Sequence, residues 1–182
     1  MLLLASASIP LAVTAEPNEP RDPPNVKIGF LVPLTGPIAV YGPGFQAAGN
    51  IAEEHINAMQ NQYNFEIVEA DSGCDGNQGA TGAQLLVDAG VVAVAGAACS
   101  GGTMGANSVL SAAGITQVAY ASTNPGLSDS NAYPMFFRVV RSDALPGHAL
   151  AGALNSTGGT NPAVLYAQSD YGAGLADAFE DA

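Results

Sequence analysis

The chain has 182 residues, 48% of them hydrophobic, and its four basic and 16 acidic residues give a net charge of −12 at pH 7. This hydrophobic content is enough for a buried core and excludes a disordered chain. Because phosphate groups are neutralised by clustered Lys and Arg, the charge balance excludes nucleic acid and anionic membrane surfaces as partners.

The N-terminal segment is predicted to direct export. Residues 1–15 are apolar and end in Val13-Thr14-Ala15, an acceptable cleavage site, while residues 16–24 are polar and rich in proline. No Lys or Arg precedes the apolar run, which is also shorter than the ~20 residues of a membrane span. We therefore expect a signal peptide and polar leader at residues 1–25 and a periplasmic or secreted protein.

Beyond the leader, apolar runs typical of strands alternate with segments of helical period. Strands are predicted at residues 26–32, 65–70, 91–95, 115–120, 135–140 and 162–167. Helices are predicted at residues 43–59, 77–89, 103–113 and 144–155, and from residue 172 onward. This alternation implies an α/β fold, an open parallel sheet with helices on both faces.

Ligands of such sheets bind outside the carboxyl ends of the strands. That rule selects four loops, at residues 33–42, 71–76, 97–102 and 121–128. These loops are rich in the Gly, Ser, Thr and Asn residues that are typical of turns. The candidate site is therefore expected where these loops meet.

The loops do not carry the common signatures of catalysis or nucleotide binding. The glycine-rich loop at residues 96–103 lacks the Lys of a phosphate-binding loop, and Ser100 is not in a G-x-S-x-G elbow. His55 is interpreted as a packed or half-buried residue on the apolar side of a helix, and His148 as a surface residue. An enzyme is thus the least favoured class, and no cofactor is expected.

Two loops offer neutral groups suited to a small polar ligand. Ser100 opens a helix whose free N–H groups suit a carboxylate, although an ordinary serine or threonine N-cap explains the same pattern. Residues 121–125 end a strand and offer carbonyls and hydroxyls to the same crevice, although a turn closed by Pro125 is the alternative. The residues alone leave both choices open.

The residues also leave open whether Cys74 and Cys99 form a disulfide or stay free thiols. A metal site is not expected, because no second pair of cysteines or nearby His completes a set of ligands.

Five segments together resemble the branched-chain amino-acid-binding proteins, periplasmic binding proteins of type I from ABC transporters. They are residues 26–37 (VKIGFLVPLTGP) followed by Tyr41-Gly42, residues 71–75 (DSGCD), Cys99-Ser100 with Thr103, residues 121–125 (ASTNP) and residues 170–175 (DYGAGL). Their order and spacing match the family from about residue 26 to the end of the chain.

The resemblance implies a two-lobed fold that holds its ligand between the lobes. The first lobe is expected at residues 26–140 and a truncated second lobe at 141–182, so the chain is interpreted as an N-terminal fragment.

The resemblance also implies a Cys74–Cys99 disulfide and a ligand site formed by Tyr41, Ser100, Ala121, Ser122, Thr123 and Tyr171. In that site Ser100 and the Thr123 N–H would bind a carboxylate. The Ala121 carbonyl and the Thr123 hydroxyl would bind an ammonium group, and the two tyrosines would line the pocket.

The implied function is capture of a small zwitterion or amide by a monomer that delivers it to an ABC transporter permease. Gly101-Gly102 stand where amino-acid binders often carry serines, so the ligand is left open among amino acids, amides and other small polar solutes. Two alternatives remain, an extracellular receptor module of the same fold and a broken coding sequence with a non-functional product.

Overall fold

A computed structural model describes residues 22–182, so the predicted cleavage site lies outside the described residues. The five strands are β1 Asn25–Val32, β2 Asn64–Asp71, β3 Ala93–Ala95, β4 Thr116–Ala119 and β5 Phe136–Arg138. The five α-helices are α1 Gly42–Met59, α2 Gly76–Asp88, α3 Ser100–Ala112, α4 Ala144–Ser156 and α5 Asp170–Glu180. Short 3-10 turns lie at Ala39–Tyr41 and Pro125–Ser128.

The strands form one parallel sheet in the order β2-β1-β3-β4-β5. The register pairs Phe30 with Ala95 and Ala95 with Val118, and every neighbouring pair of strands is parallel. Because all strands point the same way, the loops after β1 to β4 leave from one edge of the sheet. The predicted open parallel sheet is confirmed.

Helices pack on both faces of the sheet, because successive residues of β1 point to opposite sides. Leu31 faces α2 and α3 and is fully buried in a core with Leu86, Val94 and Leu110. Phe30 faces the other way, toward Gly49 of α1. Fully burying a side chain of this size contributes about 1.5–3 kcal/mol, so the α2–α3 face is the main hydrophobic core.

Helices α2 and α3 cross at glycines. A Cβ on Gly79 would lie 2.8 Å from the Cα of Gly102, and one on Gly105 would lie 2.8 Å from the Cα of Gly76. These are backbone atoms, which cannot swing aside as a side chain can. The short interhelical distance, and with it the position of the first turn of α3, therefore depends on the absence of side chains here.

The α1 face of the sheet is covered less completely. A groove of about 580 Å³ lies between α1 and the sheet, and its apolar lining includes Phe30, Phe45, Ile56, Phe65 and Tyr120. His55, expected to be packed or half-buried on this helix, is exposed and is not among the residues that line the groove.

The strand predicted at residues 162–167 is wrong: no strand forms there among the described residues. The segment is largely exposed, and Leu165 is fully exposed. A strand needs a neighbouring strand to satisfy its backbone N–H and C=O groups, and the part of the chain that the structure describes supplies none beside this segment. Instead the segment borders an apolar cavity of about 440 Å³ with α4 and α5.

None of the helices described between residues 22 and 182 combines the length and apolar character that a membrane crossing requires.

Candidate functional site: a cavity at the carboxyl edge of the sheet

All four selected loops and the start of α5 line a cavity of about 410 Å³, the first loop through Pro37 and Ile38. This volume lies within the roughly 300–1,000 Å³ typical of small-molecule sites. The lining includes Cys74 and Asp75 from the loop after β2, Cys99, Ser100 and Gly101 at the start of α3, Ala121 after β4, and Ser169, Asp170 and Tyr171 at the start of α5.

The first turn of α3 reaches this cavity without a side-chain cap. The N-cap residue is Cys99, whose side chain makes no capping hydrogen bond within the described residues. Ser100 is the first helical residue and is 1% exposed, and its Oγ accepts the backbone N–H of Asn124 at 3.2 Å. The serine is therefore not an N-cap for its own helix, and its hydroxyl proton is available for another acceptor. A helix N-terminus with spare N–H groups favours an anion such as a carboxylate.

The disulfide implied by the family resemblance is present between Cys74 and Cys99, with the Cα atoms 5.0 Å apart. Both cysteines line the cavity. The bridge joins the loop after β2 to the residue that precedes α3, so it fixes one wall of the cavity against the other.

The Ser122 hydroxyl lies behind the cavity. It is fully buried, lies 2.6 Å from Thr103 Oγ1 and donates to the Ala97 carbonyl at 3.0 Å. Thr103 Oγ1 in turn accepts the Ala97 N–H at 3.1 Å. These bonds tie the ends of β3 and β4 to the first turn of α3, and they fix where Ser100 and Ala121 lie.

The Thr123 hydroxyl is engaged with the segment before α4. It donates to Asp143 Oδ2 at 2.6 Å, while the Asp143 N–H donates to the Thr123 carbonyl at 2.9 Å. Because the single hydroxyl proton is used by Asp143, the remaining lone pairs of Thr123 Oγ1 can only accept hydrogen bonds. That polarity suits an ammonium or amide N–H group.

The six predicted ligand residues fall into two sets. The structure brings Ser100, Ala121 and Tyr171 into the lining of one cavity, with Tyr171 48% exposed. Ser122, Thr123 and Tyr41 are not among its lining residues, and Tyr41 is 63% exposed. A ligand role for each of the six stays a prediction.

Asp71 holds the loop after β1 in place. Its carboxylate accepts the N–H groups of Leu34 at 2.9 Å, Thr35 at 3.2 Å and Gly73 at 2.9 Å, and the Thr35 hydroxyl at 2.5 Å. Burial by itself would raise the pKa of Asp71, but these donors outweigh it and hold the pKa below its ordinary value. Asp71 thus stabilises the fold most when it is ionised.

Replacing Asp71 by Asn should lower the free energy of unfolding at pH 7 and have less effect in acid. A group whose pKa is lowered by folding contributes fully above its unfolded pKa of about 4, and the contribution is lost as the pH falls through the folded value. Urea unfolding of wild type and Asp71→Asn at pH 7 and pH 3 measures this, with Asp177→Asn, an exposed position on α5, as control. A stability difference that is the same at both pH values would contradict the assignment.

Two residues at the site carry polar contacts that the sequence did not single out. Asn124 is 8% exposed and bonds to the start of α5, and Asp143 is 8% exposed and holds Thr123. The available signals are weak: Asn124 precedes a proline in a segment for which a turn and a ligand loop were both open, and Asp143 directly precedes a predicted helix. Both contacts join segments 20 or more residues apart, which local pattern does not reveal.

The parallel sheet with helices on both faces has the periplasmic binding protein type I fold. The family described as "Receptor family ligand binding region" matches residues 45–182, more than half of the chain, and the chain belongs to that family.

Individual relatives agree with this assignment. An "Amino acid binding protein" of Pseudomonas aeruginosa is 34% identical over 157 residues, which are 85% of this chain and 42% of that protein. A "Leu/Ile/Val-binding protein homolog 3" of Brucella melitensis is 30% identical over 161 residues, 87% of this chain and 44% of that one.

The crystal structure of the branched-chain amino acid transporter substrate-binding protein LivJ from Streptococcus pneumoniae with isoleucine superposes with a TM-score of 0.71 at 27% identity. That superposition covers 86% of this chain and 46% of LivJ. The chain thus spans less than half the length of each of these relatives.

Proposed function

We propose that the chain forms the first part of an extracytoplasmic solute-binding protein that captures a small amino acid, of branched-chain type, or an amide for uptake by an ABC transporter. The observation that carries the proposal is the single cavity in which the uncapped start of α3, the end of β4 and Tyr171 meet. A helix N-terminus favours the carboxylate of a zwitterion, and strand-end carbonyls favour its ammonium group.

The charge of the lining supports a zwitterion over a simple anion. Asp75 and Asp170 also line the cavity, and the Asp170 carboxylate lies against Gly101 in the first turn of α3. A bare anion would meet two carboxylates, whereas a zwitterion can turn its ammonium group toward them. Tyr171 adds an aromatic ring that buries apolar area and a hydroxyl that hydrogen-bonds.

In this proposal residues 26–140 form one lobe, residues 141–182 begin the second, and closure of the lobes retains the ligand. The protein acts as a monomer without cofactor or catalysis, in the periplasm or outside the cell, and delivers its ligand to the transporter permease. The description of the matched family supports a second candidate, the extracellular ligand-binding module of a receptor. A membrane-spanning segment encoded further along the same reading frame would favour the receptor.

The test is a thermal-shift screen of amino acids and small amides against the longest product of the reading frame that encodes this chain. A true ligand stabilises by mass action, by about 2.7 kcal/mol at a hundredfold excess over its Kd. We expect a branched-chain amino acid or a small amide to raise the Tm and the deaminated carboxylic acid to have no effect. A screen in which none of these compounds raises the Tm would remove the proposal.

Replacing Ser100 by Ala should weaken binding of the ligand found in that screen by about 1–3 kcal/mol, because a charge-assisted hydrogen bond to the carboxylate is lost. Isothermal calorimetry measures the change. The matched control is Ser108→Ala on the same helix, because Ser108 is exposed and its hydroxyl donates only to the Gly105 carbonyl. An unchanged Kd for Ser100→Ala would exclude Ser100 from the ligand site.

A further inference from the structure

The Asn124 side chain joins the two walls of the cavity. Its Nδ2 donates to the carbonyl of Asp170, the first residue of α5, at 2.5 Å across 46 residues of sequence. Its Oδ1 accepts the Gly126 N–H at 2.7 Å, which closes the 3-10 turn after β4. One amide thus fixes its own loop with its oxygen and holds another helix with its nitrogen.

The backbone of the same residue is equally engaged. The Asn124 N–H donates to Ser100 Oγ at 3.2 Å, and its carbonyl accepts from Arg138 Nη1 at 2.9 Å. Asn124 therefore contacts α3, β5 and α5 at once while remaining 8% exposed. A buried amide whose partners come from several elements holds them in one arrangement, since breaking any bond leaves a buried polar group unpaired.

The packing at this point leaves no room for a larger residue on α5. A Cβ built on Gly174 would lie 2.6 Å from Cγ of Asn124, so the amide occupies the space beside Gly174. Asp170 and Tyr171, one turn earlier on α5, line the cavity opposite Ser100 and Gly101. The distance between the two walls is thus set where Asn124 meets Gly174.

We propose that Asn124 is the positioning residue that closes the cavity, because its amide holds the first turn of α5, with Tyr171, against the first turn of α3. This proposal rests on the proposed function in one respect: the cavity that Asn124 closes is taken to hold a ligand between Ser100 and Tyr171. When the Asn124–Asp170 hydrogen bond breaks, α5 separates from α3 and the cavity opens to solvent.

The test compares Asn124→Asp with wild type by hydrogen–deuterium exchange, using the longest product of the reading frame and no ligand. Aspartate retains the oxygen that accepts the Gly126 N–H, but its second oxygen cannot donate to the Asp170 carbonyl and is repelled by it. We expect amides of residues 170–180 to exchange at least ~10-fold faster, since losing a hydrogen bond of about 1.4 kcal/mol corresponds to a factor of ten. Exchange in α2 should stay unchanged. Asn131→Asp, an exposed position with the same charge change, is the matched control.

Gly174→Ala provides an independent variant should Asn124→Asp fail to fold. Alanine favours helix over glycine by about 0.5–1 kcal/mol, so faster exchange in α5 of this variant can only come from lost docking against Asn124. Wild-type exchange rates at residues 170–180 in both variants would overturn the proposal.

The ligand found by the thermal-shift screen gives a second measurement. In Asn124→Asp its dissociation rate should rise about tenfold with little change in association, because an opened cavity releases its ligand more readily. Faster exchange in α5 of a protein that binds none of the screened compounds would support the positioning role while removing the proposed function. A ligand that binds Asn124→Asp as tightly as wild type would overturn the positioning role while leaving the proposed function intact.

Discussion

Removing the Cys74–Cys99 bridge is expected to lower the free energy of unfolding by about 3 kcal/mol, because a cross-link of this span restricts the unfolded chain. The two cysteines are 25 residues apart in sequence, and both lie on the cavity wall. For a domain of this size the loss corresponds to a fall in Tm of roughly 6–12 °C. Urea unfolding of wild type and of Cys74→Ser/Cys99→Ser measures the change.

Reductant supplies the control for this prediction. Dithiothreitol should destabilise wild type by a similar amount and leave the double serine variant unaffected, since only wild type has a bond to reduce. Equal urea midpoints for wild type with and without reductant would show that the bridge does not form in the protein. A thiol assay that finds both cysteines free after export would show the same.

Replacing Gly105 by Ala is expected to destabilise the fold by up to about 3 kcal/mol, the upper end for overpacking of a tight contact. The new Cβ would meet the backbone of Gly76, and α2 and α3 could separate only by disturbing the core around Leu86 and Leu110. The same change would shift the first turn of α3, so binding of the ligand should weaken as well. Thermal unfolding and calorimetry measure the two effects.

Gly44→Ala is the matched control for this substitution. Gly44 also lies in a helix, but nothing is within 4 Å of the position that its Cβ would take. Alanine there should be neutral or stabilising by a few tenths to about 1 kcal/mol, because it restricts the unfolded chain. If both variants had the same stability, the helix crossing would not depend on the missing side chain at Gly105.

The regular elements could largely be predicted because their patterns are local. β1 and α1 lie within one residue of the predicted bounds, since a β-rich run closed by proline and a helical period are visible in the residues themselves. β3 is shorter than predicted, because the Val91 N–H bonds to Leu86 at the end of α2 rather than to a strand. α3 starts at Ser100 rather than at Thr103, because Gly102 lies in the helix where α2 crosses it and Gly101 lies in the helix against Asp170 of α5.

The candidate site was predicted less completely. The rule that ligands bind at the carboxyl edge selects four loops that contribute residues to one cavity, because that edge follows from strand direction alone. Asn124 and Asp143 escaped prediction, since their partners lie 46 and 20 residues away and neither side chain forms a recognisable spacing motif. Only the folded chain brings such residues into hydrogen-bonding distance.

The sequence by itself determined the alternation of strands and helices, the edge of the sheet at which the candidate cavity lies and, through the family resemblance, the cysteine pairing. Hydrophobic periodicity and strand direction depend on residues close together in the chain, so both can be predicted from local sequence. The tertiary structure decided which loops share one cavity, that Gly79 and Gly105 bring two helices into contact, and that residues 162–167 form no strand. Each of these features depends on contacts between residues that are close in space but distant in sequence. Such contacts cannot be predicted from the local sequence pattern.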